Sequence, residues 1–108
     1  MRKNLKRETK RKVIKKKAKQ HTKRLKNHDL NYIKRLKKMN SWKVGFSDHT
    51  LSDYISISAI TLGAKVIEKH FTDDNERDGP DHQFSMNPAT WKSMILSARK
   101  LEEALGNG

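Results

Sequence analysis

From Asp29 onward the apolar positions fall into short periodic runs. Leu30, Ile33 and Leu36, extended by the stem of Lys37 and by Met39, recur at helical spacing and predict an amphipathic helix that stops near Asn40. Lys-Val-Gly-Phe at 43–46 then reads as a short strand. Leu51, Ile55, Ala59 and Leu62 line one face of a second helix. For this helix Thr50 is the expected N-cap, Asp53 a short capping-box partner and Gly63 a left-handed terminator. The next run, residues 64–71, alternates and predicts a second strand. Val66, Glu68 and His70 share one side, and Ile67, Lys69 and Phe71 share the other.

Residues 72–85 are polar, acidic and turn-rich, with Asp-Gly-Pro-Asp at 78–81 the strongest turn signal. The final helix is the clearest element. Asn87 caps it, Pro88 opens it, and Gly106 ends it. Between them Trp91, Met94, Ile95, Ala98, Leu101 and Leu105 form a stripe that reads as core. Helix, strand, helix, strand, loop and helix in that order describe βα units and a parallel sheet, an α/β fold. Two parallel strands leave faces to cover and edges to pair, so this stretch reads as part of a larger sheet.

Charge divides the chain. Residues 1–26 hold fourteen of the 25 Lys and Arg and one of the 12 Asp and Glu, so the remainder, with eleven of each sign, is neutral. The lysine-rich tail, residues 1–28, has scattered Leu5, Val13, Ile14 and Leu25 and is compatible with a helix that like charges at i,i+4 make marginal. With 108 residues of which 33% are hydrophobic, a large self-sufficient core is not expected. The absence of cysteine removes disulfide and thiolate chemistry. Neither a signal-peptide apolar run nor a membrane span is present in the sequence, and a cytoplasmic location is the expectation.

Chemistry in parallel α/β folds collects at the C-terminal ends of strands. Ser47, Asp48 and His49 follow one strand, and Glu68 and His70 end the next. Neighbouring strands lie about 4.8 Å apart, so two imidazoles at matched heights can approach one ion, in an open site completed by water and by other groups. The plainer alternative is that both histidines bond to backbone. Glu68 reads equally as an outer partner of the ion or of a lysine. His21, His28 and His82 read as surface residues. Asp81, exposed by its turn, suits either a polyhydroxylated substrate or solvent. Ser47 lies two residues from His49 with no sign of an oriented base, so nucleophilic catalysis is not indicated.

Four ordered blocks, VGFSDHT (44–50), LGAKVIEKHFT (62–72), GPDHQFS (79–85) and MILSARKLEEALG (94–106), resemble the N-acetylneuraminate (sialic acid) synthase family. That family includes legionaminate, pseudaminate and spore-coat polysaccharide synthases. The likeness runs from about Asp29 to Gly106 and implies the last part of a TIM (β/α)8 barrel, namely two βα units and the preceding helix. Family members condense phosphoenolpyruvate with an N-acetylated aldose, N-acetylmannosamine in the type case, and release phosphate. A divalent ion, usually manganese, acts there on the aldehyde oxygen. The resemblance assigns metal binding to His49 and His70, a phosphoenolpyruvate contact to Ser47 and an amino-sugar contact to Asp81. It also implies a homodimer, in which an antifreeze-like domain after the barrel reaches the partner's active site.

Six upstream strands, with the lysines that hold phosphate, have no counterpart in this resemblance, and the lysine-rich tail matches nothing in it. The expectation is therefore a truncated, inactive fragment of a phosphoenolpyruvate-condensing, carbon–carbon bond-forming transferase, with the tail as unrelated sequence joined upstream. The alternative is a basic-tailed protein that binds nucleic acid through residues 1–26 and carries a vestigial barrel piece. Fourteen positive charges would make such binding steeply salt-dependent, while the lack of aromatic residues in the tail leaves sequence reading unsupported.

Overall fold

Backbone pairing in this computed structural model, which describes residues 28–39 and 41–108, joins two short parallel strands carried between helices. In chain order they are α1 (Asn31–Met39), β1 (Gly45–Asp48), α2 (Tyr54–Thr61), β2 (Val66–Lys69), a 3-10 turn (His82–Phe84) and α3 (Pro88–Leu105). The helical reading of the lysine-rich tail lies outside the described residues. β1 and β2 pair in register from Gly45↔Val66 to Asp48↔Lys69. The architecture is an α/β fold with a small parallel sheet, as the alternation of elements predicts.

One face of the sheet packs on the helices. Ile33, Val44, Ala59 and Ala64 are buried, and Leu30, Leu36, Phe46, Leu62 and Ile67 pack against them. Alternation along each strand sends the other set outward. Gly45, Ser47 and Glu68 are exposed, and Val66 is 58% exposed. The helices thus cover one face, and a polar row that begins at Ser47 and Glu68 occupies the other.

Three sequence expectations shift. β1 runs to Asp48, so Ser47 and Asp48 lie within the strand and not beyond it. Thr50 does not cap α2: the N-cap is Asp53, which makes no side-chain capping bond. Thr50 is instead buried, its hydroxyl donating to Asp48 Oδ1 at 2.7 Å. A buried carboxylate needs donors more than a helix end that water can reach, and Thr50 goes where the need is greater. Gly63 does follow the helix in the left-handed region, at φ 110°. On the apolar stripe of α3 only Met94 is buried, and Ile95 and Leu105 are 41% and 47% exposed. The helix packs on α2 along a narrow line, and Trp91 adds an edge contact to Phe71 at 6.2 Å between ring centroids.

The start of α3 follows its sequence signals. Asn87 Oδ1 accepts from the Thr90 N–H, and the Asn87 N–H donates to Thr90 Oγ1, both at 2.9 Å, with Pro88 at the first helical position. Replacing Asn87 with alanine removes both the acceptor of the Thr90 N–H and the amide that donates to Asn75 Oδ1 at 2.9 Å. The expected loss is about 1 kcal/mol in urea denaturation of the full chain.

The connection from β2 to α3 is held back against the strand end. Met86 N–H donates to the His70 carbonyl and Thr72 N–H to the Met86 carbonyl, each at 2.9 Å, forming an isolated parallel bridge between Phe71 and Met86. Asn75 ties the loop by donating to the carbonyls of His82 and Ser85. His70 is thereby fixed on the side away from β1. Among the described residues, no helix is long and apolar enough to cross a membrane.

Candidate functional site

His49 and His70 each follow the last residue of a strand, and those last residues, Asp48 and Lys69, are partners in the sheet. The two rings therefore come side by side, with centroids 5.3 Å apart and planes inclined by 59°. They line a cavity of about 350 Å³ together with Asp48, Glu68, Lys69 and Phe71. Two imidazoles bound to one ion through nitrogens about 2.1 Å from it have ring centroids roughly 5 Å apart, so the observed spacing suits a shared cation. The donor set is only half complete: among the described residues no group of three or more His, Cys, Asp or Glu could hold a metal.

Ser47 lies on the same outward row. Its hydroxyl donates to Glu68 Oε1 at 2.9 Å, which makes Glu68 a cross-strand partner of Ser47 and not of a lysine. Asp81 is elsewhere. It is half-buried at the start of the 3-10 turn, where its carbonyl accepts from Ser85 Oγ at 2.6 Å, and it does not line the histidine cavity.

Beneath the histidines sits a buried ion pair. Lys69 Nζ lies 2.7 Å from Asp48 Oδ2, with both side chains fully buried. Each partner is saturated. Asp48 also accepts from Ser56 Oγ at 2.6 Å and from the amide and hydroxyl of Thr50 at 2.8 and 2.7 Å. Lys69 spends its other two hydrogens on the carbonyls of Thr50 and Ser52 at 2.9 and 2.8 Å. The network ties the end of β1, the turn into α2 and the end of β2 into one unit, at the two residues that immediately precede the imidazoles and line the same cavity.

Burial alone would raise the Asp48 carboxyl. The Lys69 ammonium, followed by Ser56 and Thr50, outweighs it and holds the group below the usual carboxylate range. The folded value is depressed, so the stabilisation is present above the unfolded value of about 3.9 and disappears as pH falls through the folded value. Urea unfolding followed from neutral pH into acid is expected to steepen below about pH 4, and Asp48→Asn should flatten that branch.

Asp48, Lys69 and His28 are the residues that pattern reading missed. For the pair a signal exists: Asp48 alternates with Phe46, and Lys69 with Ile67, on the apolar side of each strand, where a charge requires a partner. His28 carries no such mark. It is not a surface residue, since its side chain is 8% exposed and its ring lies 5.4 Å from that of Phe46. His82 is also engaged, its Nδ1 lying 2.8 Å from Thr72 Oγ1, while His21 is outside the described residues.

The NeuB family model matches residues 3–108. An uncharacterised protein of Methanocaldococcus jannaschii is 46% identical over 80 residues, covering 74% of this chain and 24% of that protein. An N,N'-diacetyllegionaminic acid synthase of Campylobacter jejuni is 42% identical over 80 residues, with the same shares covered. The crystal structure of an N-acetylneuraminic acid (sialic acid) synthetase from Leptospira borgpetersenii matches with TM-score 0.70 and 31% identity, over 74% of this chain and 28% of that one. This chain spans about a quarter of the length of the curated relatives it matches. The family match begins upstream of Asp29, inside the lysine-rich segment that the motif resemblance leaves without a counterpart. With a match that covers nearly every residue, the chain belongs to the NeuB family.

Proposed function

We propose that this chain supplies the wall of a barrel-type synthase active site that receives the acceptor sugar, in a reaction that condenses phosphoenolpyruvate with an N-acetylated aldose and releases phosphate. The observation that carries the reading is the pairing of His49 with His70 at matched strand ends, 5.3 Å apart. Two imidazole nitrogens at that spacing suit a divalent transition-metal ion; manganese is the ion the family resemblance implies, and His49 and His70 would hold it alongside the oxygen donors manganese prefers. When bound, such an ion supplies Lewis acidity at the aldehyde carbonyl of the acceptor.

The chain's own groups set the geometry around that point. The Asp48–Lys69 pair locks the two strand ends at one height, so the imidazoles cannot drift apart without breaking a buried network. Ser47 can turn its single hydroxyl hydrogen from Glu68 to a phosphate oxygen of phosphoenolpyruvate, leaving Glu68 as the group displaced. Asp81, at the start of the 3-10 turn and outside the histidine cavity, would accept a hydrogen bond from a hydroxyl of the amino-sugar, the role that the family resemblance implies.

The test is a chimera. Residues 29–106 replace the corresponding segment of the Campylobacter jejuni relative, and phosphate release is followed with phosphoenolpyruvate, an N-acetylated aldose and Mn2+. The folded chimera is expected to turn over. His49→Ala or His70→Ala within it is expected to lower kcat/KM by more than about 100-fold, beyond the 10–100-fold typical of an outer partner of a ligand. A chimera that folds yet stays inactive, or that keeps its rate without either imidazole, would refute the proposal.

A further inference from the structure

We propose that His28 is a positioning residue that fixes the backbone of His49, an inference that rests on reading His49 as a metal ligand. β1 ends at Asp48 and has a hydrogen-bonded neighbour, β2, along one edge. At the residue just past the strand, the His49 N–H meets a side chain in place of a strand: it donates to Nε2 of His28 at 3.3 Å.

His28 is suited to that task. Its side chain is 8% exposed, its ring packs against Phe46 at 5.4 Å, and its centroid lies 6.5 Å from that of His49. Acceptance through Nε2 requires the lone pair there, so the ring proton resides on Nδ1. Asp48 Oδ1 lies 3.8 Å from Nε2, too far for a hydrogen bond, and is already satisfied by Thr50.

Both strand ends are thus held by a bond to the residue that carries the ring. His70 is held through its carbonyl, which accepts from Met86 N–H at 2.9 Å, and His49 through its amide, which donates to His28. The two anchors come from opposite directions along the chain, one before α1 and one before α3, and together they set the spacing of the imidazoles. Partners bonded to a ligand's own ring typically change metal affinity about 10–100-fold when removed, and an anchor on the ligand's backbone acts on the same ring position.

Two variants of the full chain separate positioning from packing. His28→Phe keeps a ring against Phe46 but has no acceptor, whereas His28→Gln loses the ring but offers a carbonyl oxygen. His49 amide hydrogen exchange is measured without metal, alongside Mn2+ affinity, with the Ala64 amide in the core as the reference for folding. Positioning predicts that His28→Phe speeds His49 exchange at least about 10-fold, leaves Ala64 unchanged, and weakens Mn2+ binding about 10-fold or more. His28→Gln should keep most of both.

The reverse order, with phenylalanine silent and glutamine damaging, would overturn the proposal, and so would a rise in exchange that is equal at His49 and Ala64. If the unaltered chain binds no Mn2+, the metal reading fails, while the exchange order of the two variants still decides the role of His28.

Discussion

Lys69→Met is expected to destabilise the chain by about 3–5 kcal/mol, the largest effect of any single substitution considered, because it strips a buried carboxylate of its counter-charge. The side chain is fully buried and all three ammonium hydrogens are committed, to Asp48 Oδ2 and to the carbonyls of Thr50 and Ser52. Methionine fills similar volume but leaves two carbonyls unbonded and an Asp48 that only Ser56 and Thr50 still serve. The damage should shrink when the carboxylate is neutralised as well. Asp48→Asn with Lys69→Met is expected to cost clearly less than the two single losses added, with a coupling of about 1–3 kcal/mol. Urea denaturation of the four chains at neutral pH measures this directly. A Lys69→Met loss below about 1 kcal/mol, or simple additivity, would show that the pair is not a buried unit.

That pair also explains where pattern reading succeeded and failed. Helix α1 was legible from Leu30, Ile33 and Leu36, and α3 from Asn87, Pro88 and Gly106, because spacing and end signals are local properties of the chain. The strand pattern of residues 43–46 ends two residues before β1 does, because Ser47 and Asp48 look like loop residues until a partner strand is known. Thr50 has the sequence of a helix cap, and its competing partner, Asp48, announces itself only once burial is known. The stripe on α3 shows that an apolar face exists but not what covers it, and Ile95 and Leu105 stay exposed here. His49 and His70 stood out by their place at strand ends. The 21-residue offset that makes them neighbours is the register of the sheet itself, which no single strand encodes. His28 was illegible, since its partner is a backbone amide and backbone amides leave no sequence pattern.

His49→Ala and His70→Ala are each expected to weaken Mn2+ binding by the full chain by at least about 100-fold, more than the loss of an orienting group produces. The argument is one of chelation. With two imidazoles 5.3 Å apart, an ion takes the second nitrogen at little further cost in freedom, and removing either ring leaves a single donor in water. The two losses should therefore not multiply. A double alanine variant is expected to bind hardly worse than either single variant, because each single change already dissolves the unit. Independent weak sites would behave otherwise: each substitution would remove part of the binding, and the double variant would remove the sum. Mn2+ titration followed by electron paramagnetic resonance of the free ion distinguishes the two cases. Thermal unfolding gives a second readout, since an ion that binds only the folded chain raises its stability, and that rise should vanish in all three variants. Unchanged affinity in either single variant, or losses that combine independently, would mean that the two rings do not share an ion.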